Sequence, residues 1–303
     1  MNKRIKKIFN KDELIRYLWR KITKKGLLNF LSDESFVRLE YKLKMKEELN
    51  LESPERYNEK LQWLKLYDHD PLYTDLVDKF EVRKHVEKLI GKDYLIPSYG
   101  VYNDYDEIDF DSLPDQFVLK PTHASGDVFL CKDKSTIDHQ KLKKEIDRWL
   151  HKNYYNYHRE WPYKNVKPRI VCEKFMIEQG SDRIKDYKFF CFNGKAEYMF
   201  VASDRGTNTK FDFYDREFNH LNLKQHYLKS DTAMPKPANY EKMLKLSEQL
   251  SVGFPHVRID FYSINGRIYF GEFTFYHFSG FEAFVPDSFD FKLGSLLKLP
   301  QST

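Results

Sequence analysis

Residues 257–280, VRIDFYSINGRIYFGEFTFYHFSG, decide how this chain is read, because they set Arg258, Asp260, Glu272 and Thr274 on two strands around an Asn265-Gly266 pair. Asn-Gly between alternating apolar residues is a hairpin signal. A three-residue loop, 265–267, sets Ile264 against Ile268, Asp260 against Glu272 and Arg258 against Thr274; a two-residue loop sends the two acids to opposite faces. In the first register Val257, Ile259, Phe261, Tyr269, Phe273 and Phe275 form an apolar side, and the acids and the arginine lie on the other. Directly opposed carboxylates, with Cβ atoms about 5 Å apart, repel each other. A divalent cation resolves the repulsion, and Mg²⁺ commonly takes one or two carboxylates together with substrate phosphates. A metal–nucleotide site is therefore the leading reading. An ordinary salt-bridge network around Arg258 is the structural alternative.

Working outward, 303 residues with 41% hydrophobic composition can bury a sizeable core in two or three lobes. No run of about 18 apolar residues is present, and the charged N-terminus predicts neither a membrane span nor a signal peptide, so the cytoplasm is the expected location. Cys131, Cys172 and Cys191 stand singly in apolar runs, which predicts reduced, packed thiols. The net charge of +5 belongs to the N-terminus, where residues 1–46 hold fourteen Lys or Arg against five Asp or Glu. There Ile15, Leu18, Trp19 and Ile22 recur at helical spacing among basic residues. Such a stripe either packs on the protein or lies on the inner face of an anionic membrane as a peripheral contact. No reading motif accompanies the charge, and nucleic-acid binding is not expected.

The patterning predicts an α+β chain: a helical region over residues 1–75, then a domain over 76–303 divided near residue 170. Helices are expected over 33–49, 55–66, 76–90, 139–151 and 240–250, strands over 94–101, 116–120, 127–131 and 169–176, and a second hairpin over 187–202 turning at Asn193-Gly194. Residues 153–168 and 235–237 read as linkers.

Several residues could carry chemistry. Lys120 ends an apolar strand, a costly place for a charge without a partner. The loop after it, Thr122 to Asp127, offers Ser125 and Gly126 for close backbone approach to phosphate oxygens. Solvent is the alternative partner for Lys120, and the loop is not a Walker motif. Glu173 and Lys174 end a strand that suits a nucleotide hinge or a sheet-edge charge pair. Lys188 opens the second hairpin and can point into the same cleft. His277, Ser279 and Gly280 follow the acidic hairpin and are candidate substrate contacts. The three Asp-x-Asp runs, at 68–70, 104–106 and 109–111, match the short metal motif of many glycosyltransferases.

In order along the chain, these motifs resemble the ATP-grasp superfamily, and within it the TupA-like family named for teichuronopeptide synthesis. The resemblance rests on NEKLQWLKLYDHDPLYTDLVDKFEVRKHV, FVLKPTHASGD, DYKFFCFNGK and RIDFYSINGRIYFGEFTF, and it extends over nearly all of the chain after residue 50. It implies ATP held between two α+β subdomains, with Lys79 and Lys120 at the phosphates and Glu173 with Lys174 at the adenine. Asp260 and Glu272 would hold Mg²⁺, and Arg258 would neutralise an acyl phosphate and the tetrahedral species after it. Thr274 stands where the superfamily usually has an asparagine metal ligand. The implied activity is a carboxylate–amine ligase joining an amino acid or small amine to the uronic acid carboxylate of a sugar or glycan in bacterial surface-polysaccharide synthesis. Two rivals are a glycosyltransferase using a nucleotide sugar and a non-catalytic ATP- or glycan-binding partner. The aromatic loop with Tyr154, Tyr155, Tyr157, Trp161 and Tyr163 either stacks on sugar rings or packs in the core.

Overall fold

The computed structural model describes residues 11–180, 184–204 and 208–301. Five helices come first: α1 (Lys11–Lys24), α2 (Asp33–Met45), α3 (Tyr57–Tyr67), α4 (Leu72–Val77) and α5 (Val82–Ile90). The Ser32 hydroxyl caps α2 by accepting from the Ser35 N–H, and Asp33 and Glu34 complement the positive end of the helix. At α3 the expected Ser53-Pro54 start gives way to Glu59, whose carboxylate accepts from the Glu55 and Arg56 N–H groups at 3.0 and 3.1 Å. The helix expected over 76–90 is broken. Asp78 lies between α4 and α5 and accepts from the Phe80 and Glu81 N–H groups at 2.7 and 3.1 Å, which ends one helix and starts the next. That break frees Lys79 to turn sideways.

The first sheet consists of β1 (Ser98–Tyr102), β2 (Phe117–Pro121), β3 (Phe129–Cys131) and, after α6 (His139–Leu150) and α7 (Tyr155–His158), β4 (Ile170–Lys174). It is antiparallel in the order β1-β4-β2-β3. Phe117, Leu119, Cys131, Ile170 and Cys172 face α6 and close a small core with Leu142, Ile146 and Trp149. Each buried aliphatic side chain there is worth about 1.5–3 kcal/mol.

The second sheet is larger: β5 (Asp186–Phe192), β6 (Lys195–Ser203), β7 (Lys210–Asp215) and, after α8 (Tyr240–Ser251), β8 (His256–Ile264) and β9 (Arg267–Thr274), in the order β7-β6-β5-β8-β9. Helix α8 covers one face. The other is covered by α3, by the turn at 277–280 and by the last helix, α9 (Ser288–Leu296); Tyr57 of α3 packs on Phe190 and Phe192 with ring centroids 6.3 and 6.2 Å apart. The N-terminal helices thus share the main core with the second sheet. All three cysteines are buried and unpaired.

Candidate active site

The β8–β9 hairpin closes with a two-residue loop, Ile264 pairing with Arg267, which corrects the three-residue loop read from the sequence. Asn265 and Gly266 have φ of +49° and +76°, the backbone that an Asn-Gly pair readily adopts. The acids nevertheless lie opposite each other. A bulge supplies the missing residue: Phe261 pairs with Phe270 but Asp260 pairs with Glu272, leaving Gly271 as the extra residue. A Cβ on Gly271 would stand 3.0 Å from the Asp260 carbonyl oxygen, so glycine permits the close approach. The bulge also moves Tyr269 off the apolar side, where Ile268 and Phe270 are buried in its place.

Arg258 organises the acidic face. Its Nε donates to Asp260 Oδ1 at 2.7 Å, and its Nη2 reaches Asp260 Oδ2, Glu272 Oε1 and Thr274 Oγ1 at 2.9, 3.1 and 2.9 Å. Lys188 lies opposite Asp260 on β5, and its ammonium pairs with Asp260 Oδ2. Burial alone would raise the Glu272 carboxyl, but Lys188, Arg258 and Lys79 outweigh it and bring the group down to about 2. The Glu272 side chain keeps 39% of its surface open, whereas Asp260 is buried.

Lys79 links this face to the first sheet. Its backbone N–H donates to the Thr122 carbonyl at 3.1 Å and its ammonium to the Ala124 carbonyl, which sets it under the loop that carries Ser125 and Gly126. Burial and then Lys120 lower its pKa, while Glu272, Asp78 and Glu173 oppose the shift. Charges from both sheets therefore meet at one ammonium. On the first sheet Lys120 Nζ donates to Glu173 Oε2 at 2.9 Å, and Arg83 approaches Glu173 Oε1 at 3.7 Å. Ser125 and Gly126 are exposed at the rim, Gly126 with φ of +85°. Lys174 points elsewhere, into a 640 Å³ concavity with Tyr99, Lys132 and Phe175.

The three residues after the hairpin lie behind the cleft. His277 is buried; its Nδ1 accepts from Arg258 Nη1 at 2.8 Å and its Nε2 lies 2.6 Å from Gln225 Oε1. Burial and the neighbouring Arg258 push its pKa well below the ordinary range, so it stays a neutral acceptor. Phe278, Ser279 and Gly280 follow with φ of +47°, +53° and +65°, a left-handed turn that costs energy unless its surroundings hold it. Gln62 Nε2 donates to the Ser279 and Gly280 carbonyls at 3.0 and 2.8 Å, and Lys65 Nζ donates to the Ser279 carbonyl at 2.6 Å. The Ser279 hydroxyl bonds the buried Glu160 carboxylate. Burial brings Lys65 down to about 7 against the pull of Glu160 and Glu40. Gln62, Lys65 and Glu160 escaped the sequence reading. A signal was present in α3: Asn58, Gln62 and Lys65 are spaced i, i+4, i+7, a polar stripe on a face that is buried.

The Asp-x-Asp runs have local roles. Asp104 accepts from the Asp106 and Glu107 N–H groups, Asp109 from those of Asp111 and Ser112, and Asp68 from the Tyr73 hydroxyl. Among the described residues no group of three or more His, Cys, Asp or Glu side chains is arranged as metal ligands. Two opposed carboxylates, one of them open to the cleft, with the Thr274 hydroxyl beside them, do suit a hard cation that draws its remaining ligands from phosphate and water.

The family model of TupA-like ATPgrasp proteins matches residues 59–298, and the chain belongs to that family. Its fold is accordingly the ATP-grasp fold, two α+β subdomains facing a shared cleft. No curated protein matches. Among solved structures, the chain is similar to D-alanine--D-alanine ligase from Bacillus anthracis, with 17% identity, 66% of this chain and 56% of that one covered, and a TM-score of 0.39. The corresponding ligase from Helicobacter pylori gives 18%, 74%, 61% and 0.39. N5-carboxyaminoimidazole synthase from Aspergillus clavatus, in complex with ADP and 5-aminoimidazole ribonucleotide, gives 11%, 74%, 57% and 0.40. The match spans less than two thirds of each of those chains.

Proposed function

We propose that the protein is an ATP-dependent carboxylate–amine ligase that works through an acyl phosphate and releases ADP. The observation that supports this most is the convergence of Lys79, Lys188 and Arg258 on the Asp260–Glu272 pair, where charges from both sheets meet. Phosphoryl transfer to a carboxylate needs positioning and charge neutralisation, and it needs no protein nucleophile. Lys79 and Lys120 neutralise the triphosphate, while Glu173 binds the adenine edge of the cleft. The substrate carboxylate attacks the γ-phosphorus, ADP leaves, and an amine displaces phosphate from the acyl carbon. Arg258, held by His277 and Thr274, balances the oxygens of the acyl phosphate and of the tetrahedral adduct. Asp260 and Glu272 would hold Mg²⁺, which when bound neutralises phosphate oxygens. The rim loop with Ser125 and Gly126 excludes water from the acyl phosphate.

Family resemblance supports a uronic acid carboxylate on a sugar or glycan as the first substrate, an amino acid or small amine as the second, and a role in surface-polysaccharide synthesis in the cytoplasm. Tyr154 and Tyr163, with ring centroids 4.7 Å apart beside Glu160 and Glu272, are the candidate wall for the sugar. With ATP, Mg²⁺ and a glucuronate-bearing acceptor, hydroxylamine should trap a hydroxamate and the nucleotide product should be ADP. AMP and pyrophosphate, or turnover of a nucleotide sugar without ATP, would overturn this reading.

A further inference from the structure

Helix α1 has two apolar faces, where the sequence pattern suggested one. Ile15, Trp19 and Thr23 are spaced by four residues on the inner face: Thr23 is buried, the Trp19 ring lies 5.4 Å from that of Phe36, and its Nε1 donates to Glu40 at 3.1 Å. This face holds the helix to α2. Leu14, Leu18 and Ile22, also spaced by four, point to solvent, and the loop beyond adds Leu27 and Phe30, which are 59% and 79% exposed. A single exposed leucine needs no explanation, whereas five large apolar side chains on one helix and its following loop form a patch.

The charge beside that patch is of one sign. Arg16, Arg20, Lys21, Lys24 and Lys25 are all exposed, and the acids of the helix, Asp12 and Glu13, lie in its first turn. The sequence before it, residues 1–10, contains Lys3, Arg4, Lys6 and Lys7 and no acid. At 100° per residue, Lys21 projects beside Leu14, Leu18 follows within the same arc, and Lys25 comes directly after the last turn. Cations interleaved with exposed leucines fit a surface that is negative outside and apolar beneath.

We propose that the outward face of α1 seats this protein on an anionic phospholipid bilayer. No helix among the described residues is long and apolar enough to cross one, so the contact is peripheral. The same end of α1 touches the segment that borders the cleft. The Lys24 ammonium lies 5.0 Å from the centre of the Tyr157 ring, Tyr157 stacks on Tyr154 at 5.2 Å, and Tyr154 lies 4.7 Å from Tyr163, ring centre to ring centre. Arg159 of the same segment donates to Leu28 O and Asn29 Oδ1, both at 3.1 Å. The docking surface stands independently of the ligase reading; if that reading holds, the acceptor is one displayed at a membrane.

The test is vesicle co-sedimentation of the full chain. At low salt it should pellet with vesicles of phosphatidylglycerol and phosphatidylcholine in equal parts, remain in solution with phosphatidylcholine alone, and be released as salt screens the charge. Leu14→Ser with Leu18→Ser should weaken partitioning about tenfold or more while leaving the thermal transition in place, because neither side chain touches the core. Lys21→Glu with Lys25→Glu should do the same and should also remove most of the salt dependence. Equal recovery with both vesicle types, or unchanged binding of the double variants, overturns the proposal. A concentration-dependent dimer lost in the leucine variant, without vesicle binding, overturns it in favour of a second copy of the chain.

Discussion

The second sheet contains two hairpins that turn on the same dipeptide, and they differ in what a single inserted residue does. Asn193-Gly194 and Asn265-Gly266 both close two-residue loops, and both hairpins bulge a few residues further on. In β5–β6 the extra residue is Glu197, whose carboxylate meets Lys195 at 2.7 Å on the outside of the sheet. In β8–β9 it is Gly271, and the shift brings Asp260 and Glu272 face to face under Arg258. Matching turn chemistry gives matching registers near the loop. The residue inserted afterwards decides whether a hairpin is scaffold or site.

The sharpest way to break that contrast is to neutralise the acids. Asp260→Asn and Glu272→Gln should each lower ADP release by about 10²-fold or more, the effect of losing one electrostatic stabiliser. Glu197→Gln should leave the rate within about twofold, since its partner, Lys195, is exposed and the pair lies outside the site. Near-normal turnover in either acid variant at saturating Mg²⁺ would make the two hairpins functionally alike. The bulge itself comes next. In Gly271→Val the new Cβ would stand 3.0 Å from the Asp260 carbonyl oxygen, and urea unfolding should show a loss of about 1–3 kcal/mol. Glu197→Ala should stay within about 0.5 kcal/mol.

The turns should respond alike. Gly194→Ala and Gly266→Ala place a side chain at φ of +81° and +76°, and each should cost about 1–2 kcal/mol in the same assay. Unequal costs would mean that the turns are not equivalent. The smallest effect is in acid. Glu272 has its pKa lowered from 4.5 to about 2, so its contribution to stability is complete above pH 4.5 and disappears as the pH falls toward 2. The wild type and Glu272→Gln should therefore converge in stability across that window, whereas Glu197→Gln should run parallel to the wild type. Curves for Glu272→Gln that stay parallel would show that its carboxylate is not held by the surrounding cations.

Much of this was legible in the chain. The Asn-Gly pairs, the alternation around them and the position of Arg258 two residues before Asp260 located the hairpins and the pairing of the acids. The loop length was misread because a two-residue turn plus a one-residue bulge leaves the same offset at Asp260 as a three-residue turn; glycine at position 271 was the only local mark of the difference. The helix read over 76–90 concealed a break, since apolar periodicity continues through Asp78 while the side chain caps the next turn. Strand β7 and helix α9 went unread. Both depend on contacts with distant residues, as do the hydrogen bonds of Gln62 and Lys65 to the Ser279 carbonyl, which form only after the chain folds.

Those buried bonds bear on how the molecule can be cut. Residues 69–72 form an exposed corner just after α3, open to a protease. Leaving a buried acceptor without its donor costs about 1–3 kcal/mol. A chain begun at residue 76 would leave the Ser279 carbonyl without the Lys65 ammonium, and the Ser279 and Gly280 carbonyls without the Gln62 amide. A nick at the corner should accordingly give two fragments that migrate together until denatured, a split protein joined by the core that α3 shares with the second sheet as well as by these bonds.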